Sequence, residues 1–311
     1  MWLVFFCFAL FASGIFVNKL ILFSMSPAML SGLRMLISGI IIIVGNWQSY
    51  KSGMLRKILE NWKVFFGITL FTNLFPTLLK AYAVQNMGLS KAGFLGSIDP
   101  FITAFYAYIL INEKLSMKKW VGILLGFCGA VMLFSVKSPV EDALGTFLNI
   151  SYPSLAAIAS VAISRLGWMF VQKEMRKNDF SAFDINGVVM TGAGLFAFAS
   201  IPLWNFLGIS KEAFSFAASL DLKLFMLLTY TIIAGNLLAY NLYSYLLKHN
   251  SATLVSLAGA TVPIYLTLLG YFFLGEPITK MLIGSAGIII LGVFVFYYDD
   301  MMKDKNLLKD Q

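Results

Sequence analysis

Long apolar runs follow one another along almost the whole chain, separated by short polar breaks. They place ten spans at residues 2–23, 28–46, 63–86, 90–111, 118–137, 147–171, 186–207, 222–247, 251–273 and 280–298. A helix needs about 20 apolar residues to cross roughly 30 Å of hydrocarbon, and the runs have that length. The shortest breaks, Ser24–Pro27 and Lys248–Asn250, hold Ser, Pro, Asn and Lys, so the helices they join are antiparallel neighbours. Residues 51–62 and 172–185 are longer and polar. The end, 299–311, carries Asp299, Asp300, Lys303, Asp304, Lys305, Lys309 and Asp310 and reads as a short solvated tail. No Lys or Arg precedes residues 2–23 and no small-residue cleavage pattern closes them, so they are read as the first membrane helix, not a signal peptide. The pattern predicts an all-α polytopic membrane protein of ten transmembrane helices with no separate aqueous domain.

Composition agrees with the pattern. Apolar types make up 59% of 311 residues and charged types 12%, with a mean hydropathy of +0.82, whereas a soluble domain is about a quarter charged. The net charge of +8 sits in short loops, where the inner leaflet explains it better than nucleic acid. Cys7 and Cys128 lie in apolar runs and read as buried small hydrophobes. His249 is the sole histidine, which leaves little for a metal site. No cofactor is expected.

Ten spans put both termini on one side. That side's helix ends hold Lys51, Arg56, Lys57, Lys63, Lys114, Lys118, Lys119, Lys173, Arg176, Lys177, Lys248, Lys303, Lys305 and Lys309. The other side holds Lys19, Lys91, Lys137, Lys211, Lys223 and Lys280. Fourteen against six, counted from these two sets, place the termini in the cytoplasm of a cell whose inner membrane holds the chain.

The halves of the chain match each other. Asn73-Leu74 aligns, 163 residues later, with Asn236-Leu237. The pairs Leu79/Leu242, Tyr82/Tyr245, Gly96/Gly259, Pro100/Pro263, Tyr108/Tyr271, Glu113/Glu276 and Gly129/Gly292 follow without gaps. Five spans per half, an odd number, make the second half enter the membrane from the opposite side. Residues 1–137 form one five-helix repeat, 138–146 a linker and 147–298 the inverted second repeat. Inverted repeats recur in secondary transporters, where like halves exchange which side of a central site is closed.

With Pro100, Glu113, Gly122 and Gly129, the echo Pro263, Glu276 and Gly292, and Arg34 in the second span, the chain resembles the EamA-like branch of the drug/metabolite transporter superfamily. The resemblance implies an exporter or permease of amino acids, other metabolites or drugs, proton-linked or uniporting. It also implies a cavity near mid-membrane lined by both halves. Asp99 faces Val262 in the alignment and Lys80 faces Tyr243, so the halves differ in chemistry.

Charged groups inside spans usually face protein or a water-filled cavity. Arg34, Lys80 and Asp99 lie at similar depth, so an Asp99 pairing with either base is expected, as a carboxylate or proton site or as an ion pair between helices. Arg165 is read as a structural group with a carbonyl or carboxylate partner. Lys19 and Lys173 lie near span ends, where snorkelling is favoured. Glu113 and Glu276 are read as structural, at the N-terminus of the helix that follows each, with Ser116 and Thr279 as the N-caps. Asn73 and Asn236 need partners in hydrocarbon, as helix glue or cavity lining. Tyr82, Tyr240, Tyr243 and Trp168 are candidate substrate contacts, and Pro100 and Pro263 candidate hinges. Gly122, Gly126 and Gly129, with Gly284, Gly287 and Gly292, suit close packing within the protomer or a dimer.

The function expected is secondary transport of a small molecule, with amino acids ahead of organic cations, no nucleic acid, and protons as a candidate coupling ion. A channel, a lipid scramblase and a membrane enzyme are the competing classes. No clustered acid/base or metal-ligand motif supports an enzyme, and no G-x-x-x-x-G-K-S/T loop occurs. The chain is read as a monomer or homodimer.

Overall fold

A computed structural model describes residues 2–112, 114–178, 182–206, 208, 221–249 and 258–307. Among the described residues nine helices are long and apolar enough to cross a membrane, and Val262–Leu274 is a shorter apolar helix. In chain order the first three spans are Trp2–Ile21, Pro27–Gly45 and Trp62–Asn86. The fourth is the pair Leu89–Gly96 and Asp99–Ile111, and the fifth is Met117–Phe134. The sixth and seventh are Tyr152–Asn178 and Ala182–Phe206. The eighth runs from Leu222 to His249 through a π-helical stretch, the ninth includes Val262–Leu274 and the tenth is Lys280–Leu307. The chain is an all-α polytopic membrane protein, as its pattern predicts.

Side-chain caps mark several helix starts. Ser26 and Ser116 accept from the amides of Met29 and Lys119, and Thr279 Oγ1 accepts from Leu282 N at 3.1 Å, satisfying amides that no helical carbonyl reaches. Asn112 and Gly275, matched 163 residues apart, both end their helices in the left-handed conformation. Three boundaries differ from expectation. The linker forms a helix, Pro139–Leu144, opened by a capping box between Ser138 and Glu141. A two-residue hairpin pairs Thr146 with Ser151 and delays the sixth span. The tenth helix continues to Leu307, since no Gly or Pro interrupts residues 299–307.

The chain divides into two compact units, and neither is one sequence repeat. One comprises Met1–Ala12, Asn86–Ala162 and Tyr245–Gln311; the other comprises Ser13–Gln85 and Ile163–Ser244. In the first unit the fifth span packs on the tenth and the fourth on the ninth. In the second, the second span packs on the seventh. Each pairing joins a span to its counterpart five later, the packing expected of two halves related by a two-fold axis.

Glycines set how close these pairs come. A Cβ on Gly122 would lie 2.7 Å from the Gly292 carbonyl oxygen, and one on Gly126 would enter the Phe101 ring. Gly39 stands equally close to Thr191, and Gly194 to Leu36, between the second and seventh spans. The fifth-span glycine face therefore packs within the protomer. Gly287 has no atom within 4 Å of its Cβ position, so it is not part of that face, contrary to the sequence reading. Cys128 is exposed on the fifth span, also contrary to expectation. Gly122→Leu is expected to lower stability by about 1–3 kcal/mol or more through overpacking, measured as thermal unfolding in detergent, while Gly287→Ala leaves it unchanged or raised.

Candidate functional site

Both halves abandon regular α-helix at the same place. The third span is π-helical over Thr69–Leu74 and the eighth over Thr231–Ala239. These stretches overlap under the 163-residue offset and carry Asn73 and Asn236, both buried. π-Helical turns inside α-helices concentrate at functional sites. The fourth span breaks at Ser97–Ile98 and the ninth restarts at Val262 after Thr261. Pro100 and Pro263 therefore sit in the first turn of a new half-helix, where a missing N–H has no helical acceptor to lose, and not at mid-helix kinks.

Asn236 makes three polar contacts to the second span in the interior of the second unit. Its Oδ1 accepts from Arg34 Nη2 at 3.0 Å, and its Nδ2 donates to the Arg34 carbonyl at 3.2 Å and to Ser38 Oγ at 3.0 Å. The amide thus grips the second span through backbone, guanidinium and hydroxyl together. Tyr240, one turn further along the eighth span, lies within electrostatic reach of Arg34 and of Arg165 on the sixth. Nine sequence-predicted residues, Arg34, Asn73, Lys80, Tyr82, Arg165, Trp168, Asn236, Tyr240 and Tyr243, share this unit.

The remaining candidates are placed as follows. Lys80 is exposed on Phe75–Asn86, and Tyr82 rests against Trp204 with ring centroids 6.3 Å apart. Tyr243 is half-buried on the eighth span. Trp168 packs against an apolar cluster of Tyr50, Phe65, Ile68 and Val189. Asp99 opens the second half of the fourth span; it belongs to the first unit, whereas Lys80 and Arg34 belong to the second. Glu113 lies outside the described residues. Glu276 accepts from the amides of Leu89 at 2.8 Å and Ser90 at 3.4 Å. It therefore caps the fourth span, not the helix that follows it. Lys19 is buried and donates to the carbonyls of Val84 at 2.7 Å and Gln85 at 3.1 Å. Free carbonyls at the end of the third span hold it inside, so it does not snorkel.

Two polar networks escaped the sequence reading. Lys91 Nζ pairs with Glu141 Oε1 at 2.5 Å with both side chains buried, and also donates to the Val136 carbonyl. Ser151 and Ser154 donate to the same Glu141 oxygen. Ser138…Glu141 is a readable capping signal, but a lysine 50 residues away is not. In the second unit, Asp184 accepts from Asn46 Nδ2 and Ser49 Oγ, and Tyr50 donates to its carbonyl at 2.7 Å. Burial, then the nearby Asp184 charge, pushes the Tyr50 phenol above its ordinary range.

Long apolar helices, matched helix breaks and a polar interior define a membrane carrier. The EamA-like transporter family model matches residues 1–135 and 152–298, and the chain belongs to that family. It is a small-molecule transporter, not an enzyme. The S-adenosylmethionine/S-adenosylhomocysteine transporter of Chlamydia muridarum is 24% identical over 94% of this chain and 89% of that protein. The transporter of the same description from Chlamydia trachomatis serovar L2 is 23% identical over 94% and 86%. Protein PecM of Dickeya dadantii is 25% identical over 94% and 88%. A crystal structure that is 19% identical matches with a TM-score of 0.61 over 94% of each chain, a likeness of fold alone.

Removing one member of a buried ion pair leaves the other uncompensated. Glu141→Gln and Lys91→Met are each expected to cost about 3–5 kcal/mol, read as a fall in unfolding temperature. The double variant Lys91→Met/Glu141→Gln should recover part of that loss. Asn236→Leu, which strips three hydrogen bonds, should lower stability by about 1–3 kcal/mol in the same assay.

Proposed function

We propose that this chain is a secondary exporter or permease that moves amino-acid-headed metabolites across the cytoplasmic membrane by alternating access. S-Adenosylmethionine and S-adenosylhomocysteine are the first compounds to test. The observation that carries the reading is the Arg34 guanidinium, fixed by Asn236 in the interior of a membrane unit. A cation so placed suits a carboxylate, and both compounds bear one on an amino-acid head. The chlamydial relatives named for those compounds match over nearly the whole chain. Lys80, Asp99, Asn73, Tyr82, Tyr240, Tyr243 and Trp168 remain candidates for the path, Pro100 and Pro263 for its hinges, and protons for coupling. Residues 1–137 and 147–298 act as the two exchanging halves, and the excess of Lys and Arg on one set of helix ends supports cytoplasmic termini.

A second reading, export of organic cations, is favoured by Asp99 at a helix break. The two separate in proteoliposomes. Labelled S-adenosylmethionine should show saturable counterflow that excess S-adenosylhomocysteine suppresses, with or without a proton gradient. Counterflow of quaternary amines alone would establish the second reading, and flux that never saturates would mean a pore. For orientation, a C-terminal alkaline phosphatase fusion should be inactive and a C-terminal green fluorescent protein fusion bright; the opposite result would invert the topology.

A further inference from the structure

Arg34 has an acceptor on one side and an unmet donor on the other. Its Nη2 is held by Asn236 Oδ1 at 3.0 Å, and Asn236 is itself anchored to the Arg34 carbonyl and Ser38. The guanidinium plane is thereby oriented. Yet its Nε is buried with no hydrogen bond among the described residues. The hydrogen-bond acceptor shown for the side chain is a neutral amide, and buried charges are normally paired or coordinated.

Other polar atoms of the same unit share this condition. Ser31 Oγ, one turn before Arg34 on the same helix face, is buried without a hydrogen bond among the described residues. So are Thr72 Oγ1, in the π-helical stretch of the third span, and Asn18 Oδ1 and Asn241 Oδ1. Buried polar groups are rarely left unmet, and each exception asks for an explanation. A cationic N–H donor, two amide oxygens that accept hydrogen bonds and two hydroxyls that accept or donate describe a complement. A carboxylate answers the donor, and ammonium or other N–H groups answer the oxygens. A polyanion such as a phosphate ester would answer the donor and the hydroxyls but leave the two amide oxygens unmet.

We propose that Arg34 binds the carboxylate of a zwitterionic α-amino-acid head. Asn236 is the positioning residue that fixes the guanidinium, and Ser31, one turn before Arg34 on the same helix face, lies on the ammonium side. The assignment rests on the carrier reading given above and adds to it direct contact between Arg34 and the carboxylate, the positioning role of Asn236 and a side for the ammonium.

The test uses the full chain in detergent and in liposomes, with S-adenosylhomocysteine and its decarboxylated amine as probes. Wild type should be thermally stabilised by the acid at concentrations at least about tenfold below those the amine requires. Arg34→Lys keeps the charge but loses the planar fork, and should weaken the acid about tenfold while leaving the amine unchanged. Asn236→Asp supplies a carboxylate in place of the cargo's and should weaken the acid similarly. Equal response of wild type to acid and amine overturns the assignment, and needs no variant to fold. Unchanged preference for the acid in a folded Arg34→Lys protein overturns it as well. If wild type responds to neither probe but carries another cargo in counterflow, the cargo reading fails and the assignment falls with it. Intact counterflow of S-adenosylhomocysteine with no acid preference sinks the assignment alone.

Discussion

In hydrocarbon a main-chain N–H or C=O has no water to turn to, and much of this structure is the record of how each freed group is answered. At several helix starts and ends a side chain arrives. Ser116 and Thr279 take up first-turn amides. Glu276 takes those of Leu89 and Ser90 from a distant loop. Lys19 answers the carbonyls at the end of the third span, and Gln85 donates to the Leu22 carbonyl at 2.8 Å. A lysine at a helix end is usually read as a lipid anchor. Here its charge stabilises the negative end of a neighbouring helix.

The same constraint explains the packing. Lipid tails offer no hydrophobic drive for helices to associate, so close van der Waals approach must hold them, and small residues permit it. Gly122 and Gly126 meet Gly292, Phe296 and Phe101 in one unit, while Gly39 meets Thr191 in the other. Because these faces pair counterpart spans, each compact unit draws on both halves of the sequence. The repeat is thus a unit of sequence, while each compact body takes spans from both repeats.

Backbone devices are shared between the halves, but charges are not. Both have a π-helical stretch with a buried asparagine, a proline after a helix break and a left-handed helix end. The asparagines occupy matched positions, yet Asn236 grips an arginine on the second span. Lys91 aligns with Leu254 and Asp99 with Val262, so the ion pair to Glu141 has no aligned twin. The backbone scaffold repeats, and its charged side chains do not.

How far the sequence reads follows from the range of each signal. Apolar length, basic-residue placement, the 163-residue repeat and the caps at Ser116 and Thr279 are local or periodic, and they determined the helix content, the repeat and the transporter class. The path of the linker was partly legible, since Ser138…Glu141 is a local capping pattern. Partner choice was not. That Glu141 meets Lys91, that Asp184 meets Asn46, and that Glu276 caps the fourth span depend on which helices pack together over separations of 50, 138 and 187 residues. Arg34 was identifiable as an expensive charge inside a span, but its fixed orientation came from an asparagine 202 residues away. Tertiary packing alone decided which of the buried polar groups are satisfied by protein and which have no hydrogen bond among the described residues.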